Sequence, residues 1–98
     1  MNINIDSLTG KEKRPLTRAD VEKRLRQAGS SKMLNLAGET IAFGNLSNLN
    51  LIGANLSMTD LSCADLSGAD LSGADLSYAK LSGAKLSGAK LSGANLSE

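Results

Sequence analysis

The chain has 98 residues, of which 41% are hydrophobic but only 2% aromatic, with ten Gly, one Pro, one Cys, no His and a formal charge of +1. That length allows one small domain, and a core without aromatic residues must be assembled from many small aliphatic contacts. A lone Cys and no His exclude an internal disulfide, a transition-metal cluster and any His-dependent catalytic pair, and a near-neutral charge argues against nucleic acid as the partner.

The charge is unevenly spread. Residues 1–33 carry eight Lys/Arg against four Asp/Glu, and residues 34–98 carry three against six. A basic head of 1–33 and a mildly acidic body of 34–98 are the expected units. Asn2-Ile-Asn-Ile5 alternates like a short strand, and Ser7 to Pro15 reads as a connecting loop. No stretch is long and apolar enough for a secretory signal or a membrane span, so a cytoplasmic protein with a free thiol and no membrane contact is expected.

Leu16 to Gly29 then reads as one amphipathic helix. Thr17 is a good N-cap, Asp20 three residues on approximates a capping box, and Leu16 and Val21 have the spacing of a hydrophobic staple. Val21, Leu25 and Ala28 make one apolar stripe, and Gly29 suits the stop. About twelve residues are too few to be stable alone. The helix is therefore expected to lie over the first layer of the body, hiding Leu34, Leu36 and Leu49. Its basic side is diluted by Asp20 and Glu22, and no aromatic residue supports base stacking.

From Leu34 the sequence divides into thirteen pentapeptides centred on Leu36, Ile41 and then a leucine every five residues to Leu96, with Ala repeatedly two residues before the centre and Gly two residues after it. At about 100° per residue a five-residue period would scatter these leucines around a helix, and in one long strand an odd period would alternate their faces. Collagen is excluded because Gly does not recur every third residue. A short extended segment followed by a bend keeps each Ala–Leu pair inside, and Gly makes the positive φ of the bend inexpensive. The chain is expected to wind into an all-β solenoid with a Leu and Ala interior.

Ala-Asp-Leu-Ser-Gly and Ala-Lys-Leu-Ser-Gly, repeated along 34–98, closely resemble the pentapeptide-repeat family. The resemblance implies a right-handed quadrilateral β-helix with four pentapeptides per coil, hence about three coils here. Charge supports four sides over three: at 20 residues per coil Asp60, Asp65 and Asp70 lie under Lys80, Lys85 and Lys90, and Asp75 meets Asn95. Five sides also avoid like-charge stacking. The ladder's expected role is to fix register, and the repeated Ser residues are expected to serve the turns, since catalysis needs one differentiated constellation. No catalytic residue, cofactor or metal is expected, and a non-enzymatic structural or protein-interaction module is the reading.

Departures from the repeat are where function is sought. Glu39 stands where Ala is expected, with Phe43 and Gly44 irregular after it, and a costly inward carboxylate should meet an Arg or Lys of the head, or else the local register bends. Met58, Cys63 and Tyr78 occupy the outward position elsewhere held by Gly. Met58 and Tyr78 would stack on one face as an interaction surface. The last repeat stops in phase, so its interior Leu91 and Leu96, with Leu81 and Leu86, should be covered by an end-to-end dimer or by a chain continuing the array. A protein partner is thus expected. The resemblance also implies a rival, since some members act on DNA gyrase as acidic duplex mimics, inhibiting or protecting it. Lys80, Lys85 and Lys90 interrupt such a surface, and about three coils are short for it.

Overall fold

The computed structural model describes residues 15–97, so the strand expected at Asn2–Ile5 and most of the loop before Leu16 lie outside the described residues. The first element, α1, spans Arg18–Ala28. Its N-cap is Thr17, whose hydroxyl accepts from the Asp20 amide at 3.2 Å while the Asp20 carboxylate accepts from the Thr17 amide at 2.9 Å, a reciprocal capping box. Gly29 ends it in the left-handed region at φ 84°, its amide donating to the Leu25 carbonyl. A 3₁₀ turn, Ser31–Met33, leads into the repeats.

Beyond it the chain comes back beside itself every 20 residues. Nine parallel bridges join residues 20 apart, from Asn35 with Asn55 to Asp75 with Asn95. Asp60 pairs with Lys80, Asp65 with Lys85 and Asp70 with Lys90, the four-pentapeptide register; neither 15 nor 25 residues per coil is compatible with it. The expected all-β solenoid needs one correction. Among the described residues there are no strands, only isolated bridges. A turn interrupts the ladder every five residues, so no segment extends far enough to form one. Within each turn the amide three residues after the centre donates back to the centre's carbonyl, as from Ala64 to Leu61 at 3.0 Å and from Ala74 to Leu71 at 3.0 Å.

The aliphatic centres from Leu36 to Leu76 are buried, with Ala54, Ala64, Ala69 and Ala74 beside them. At about 1.5–3 kcal/mol per buried Leu, this column is the main source of stability. Val21 of α1 joins the same core, and Leu16, Leu25 and Leu49 pack against it. Leu34 and Leu36 are covered as expected, while Leu49 stays half-buried. The Leu16 amide donates to the Thr40 carbonyl at 2.7 Å, continuing the ladder by one bond below the first coil. Gly44 has a local reason: a Cβ there would lie 2.8 Å from Cγ2 of Ile41, the one β-branched centre in the array.

Candidate interaction surface

Three features are built on this frame: a polar rim, a lock between α1 and the first coil, and a set of apolar corners. The rim is formed by the residue before each centre. Asn and Asp at these positions accept, through Oδ1, the amide two residues on. Asp60 accepts from Ser62 at 3.0 Å, Asp70 from Ser72 at 3.1 Å and Asn55 from Ser57 at 3.0 Å. The hydroxyls of Ser72 and Ser77 add donations of 2.6 Å to Asp70 and Asp75. These are Asx turns, and they account for the recurring Asn/Asp; the donor can be any amide, as from Ala37 to Asn35 at 3.0 Å and from Ile52 to Asn50 at 3.1 Å.

The hydroxyls and then the amides of Ser62, Ser67, Ser72 and Ser77 hold Asp60, Asp65, Asp70 and Asp75 below the usual carboxylate range. Lys80, Lys85 and Lys90 push the first three the same way but more weakly, after the partial desolvation that opposes the shift. The charge ladder is therefore present in register, yet its carboxylates are spent mainly on their own turns. Among the described residues no Asp–Lys pair of the ladder closes to an ion pair within 4.0 Å.

Glu39 points where Ala stands in later coils and is met from the head as expected. Arg24 Nη1 donates to its Oε2 at 2.9 Å, and the Glu39 side chain is only 12% exposed. Above it in the same column Thr59 is buried, its hydroxyl satisfied by the Leu56 carbonyl at 2.7 Å. Arg18 adds a second tie, donating from Nη1 to the Ser47 carbonyl at 2.8 Å. A paired carboxylate filling the interior beside the helix is a structural fastening.

The third feature is the corner two residues after each centre. Most corners hold Gly at φ near 70°, but Phe43, Asn48, Met58, Cys63 and Tyr78 adopt φ of 58–62° there. Asn tolerates this region; for the other four the steric cost is of order 1 kcal/mol each. Their side chains gain little burial in return: Phe43 is 79% exposed, Met58 63% and Tyr78 64%, and Cys63 is an exposed free thiol. The 20-residue register puts Met58 under Tyr78, with the Met58 amide donating to the Ser77 carbonyl at 2.8 Å. It puts Phe43 under Cys63 on the next corner. Phe43 belongs with the surface residues read from the sequence; counting two residues past Ile41 places it on a corner.

Leu91 and Leu96 sit differently. Leu91 packs partly against the core, whereas Leu96 is 51% exposed and Leu86 36%. A hollow of about 370 Å³ lined by Leu76, Tyr78, Ala79, Lys80, Leu81 and Leu96 joins the Tyr78 corner to the last layer. The structure thus brings Tyr78 and Leu96 together, with Met58 one layer below, while Leu91 is not part of that hollow.

Residues 45–77 and 79–98 match the pentapeptide repeats in eight copies, more than half of the chain. The chain belongs to the pentapeptide-repeat family. The matched spans exclude the repeats centred on Leu36 and Ile41, where Glu39 and Phe43 depart from the pattern, and Gly44, which opens the next one; they meet at Tyr78, which neither includes. No curated protein matches the chain. Pentapeptide-repeat proteins are generally structural rather than enzymatic, and no catalytic family is indicated. Among the described residues no group of His, Cys, Asp and Glu could hold a metal ion, and no helix is long and apolar enough to cross a membrane.

Proposed function

We propose that this chain is a non-enzymatic protein-interaction module of the cytoplasm, a right-handed quadrilateral β-helix of the kind its family implies, with residues 1–33 forming a head whose α1 covers the repeats of 34–98. The observation that carries this reading is the pair of apolar outward side chains, Met58 and Tyr78, exposed in a backbone conformation that disfavours them. A contact surface accounts for the cost. The hollow beside Tyr78 extends that surface to Leu96, and the half-covered Leu91 completes the last layer, which would be buried by an end-to-end copy or by a chain continuing the array.

Capture from native lysate on immobilised chain tests the reading. A partner held by the wild type and lost with Met58→Ser/Tyr78→Ser or with Leu91→Ser/Leu96→Ser is the expected result; identical capture by wild type and both variants contradicts it. The acidic-mimic rival draws on the Asp60, Asp65, Asp70 and Asp75 row, whose carboxyls stay ionised to low pH. Loss of gyrase supercoiling on adding the chain would favour that rival; unchanged supercoiling is expected.

A further inference from the structure

Met58 and Tyr78 bound one particular wall. Its middle row is Thr40, Asp60 and Lys80, one above another in the 20-residue register, and its two edges are the corner columns Gly38–Met58–Tyr78 and Phe43–Cys63–Gly83. Among the described residues it is the wall with non-glycine apolar side chains on both edges; the neighbouring walls carry Asn48 or Gly along at least one edge. All four apolar edge residues are in the left-handed region and exposed, so the array has accepted strain twice over on the same side.

From this wall we infer that a second copy of the chain docks here, antiparallel, about a two-fold axis lying across the stack between the Asp60 and Lys80 layers. The inference rests on the interaction-module reading and names the partner of its Met58/Tyr78 surface. Charge selects the arrangement. A two-fold axis parallel to the stack sets Asp60 against Asp60 and Lys80 against Lys80, and an antiparallel pairing centred on Asp60 again opposes the two carboxylates. With the axis between the layers, each Asp60 faces Lys80 of the second copy, and both pairs form at once because an isologous contact repeats itself.

The corners of the two paired layers agree with that register. Met58 faces Tyr78 of the second copy, a thioether against an aromatic ring, and Cys63 faces Gly83 of the second copy, where nothing protrudes, while Phe43, one layer below Cys63, lies outside the paired layers. Asp60 keeps capacity to take part although it holds its own turn, because the Ser62 amide takes one acceptor place on Oδ1 and a carboxylate offers about four. One wall only a few layers tall falls below the roughly 1,200 Å² of total buried area of a standard complex, so the dimer is weak and forms at high protein concentration.

Sedimentation equilibrium of the full chain, at concentrations up to roughly 1 mM and in low and high salt, is the test. The wild type is expected to dimerise reversibly, several-fold more weakly in high salt. Met58→Gly/Tyr78→Gly is expected to lower the association constant at least tenfold while the melting temperature holds or rises, because Gly relaxes the left-handed corner; loss of association cannot then be ascribed to unfolding. Asp60→Asn, which keeps the acceptor for Ser62, and Lys80→Gln should each weaken association several-fold and flatten its salt dependence. A monomer at every concentration, or a dimer indifferent to Met58→Gly/Tyr78→Gly, overturns the inference. A dimer that needs Met58 and Tyr78 but ignores salt, Asp60→Asn and Lys80→Gln overturns the antiparallel register. Capture of a different protein through Met58 and Tyr78 by a strictly monomeric chain overturns the second copy while leaving the module reading standing.

Discussion

The residue before each aliphatic centre holds a turn and faces solvent, and the two tasks favour different side chains. Asn and Asp do the first through Oδ1; Lys at 80, 85 and 90 offers no acceptor. From the sequence the Asp row is legible as charge in register, and the register is right, but the Asx turns are not, because an outward Asp looks the same whether it bonds its own backbone or its neighbour's Lys. Asp75 isolates the turn's contribution, since it pairs with neutral Asn95. Asp75→Ala should lower the melting temperature at pH 7, and Asp75→Asn should largely retain it, by calorimetry. Because the folded-state values of Asp60, Asp65, Asp70 and Asp75 lie below the unfolded Asp value of about 3.9, the unfolded chain binds more protons in that window. Their contribution is complete above it and is lost as pH falls through the lower folded values; Asp75→Asn should melt with a shallower acid loss.

At the scale of the element, α1 was legible almost in full: the Thr17 and Asp20 box, the Val21 stripe and the Gly29 stop are all local chemistry. That it lies over the first coil followed from its shortness and from the leucines needing cover. The partner of Glu39 was legible only as a cationic residue of the head, because choosing Arg24 depends on how the helix is rotated on the coil. Arg24→Met strands a carboxylate that is mostly buried, and unfolding in urea should show a loss of about 1–3 kcal/mol. Glu39→Ala in the same chain puts back the residue the array uses elsewhere and should recover most of it. Equal stability of Arg24→Met and wild type would mean that the ion pair does not fasten the helix.

Over the whole molecule, burial runs in one direction. The centres are sealed from Leu36 to Leu76, and exposure then rises to about a third at Leu86 and half at Leu96. Composition anticipated a core of small aliphatic contacts, and the period anticipated the stacking; what neither could supply was the absence of strands, which follows from a turn in every five residues. Nor could charge alone decide between four sides and five. Phe43 was hidden by the irregular repeat around it and becomes visible only once the corners are aligned. Which side chains share the Met58–Tyr78 wall is set by the 20-residue register. Cys63 tests it directly, because its Sγ lies 2.9 Å from where a Cβ on Gly83 would stand, close to the separation across a disulfide. In dilute, mildly oxidised protein, Gly83→Cys should close an intramolecular disulfide with Cys63 and leave no free thiol, while Tyr78→Cys and Gly88→Cys, 15 and 25 residues from Cys63, should each leave two. Two free thiols in Gly83→Cys, with closure in either of the others, would contradict the account.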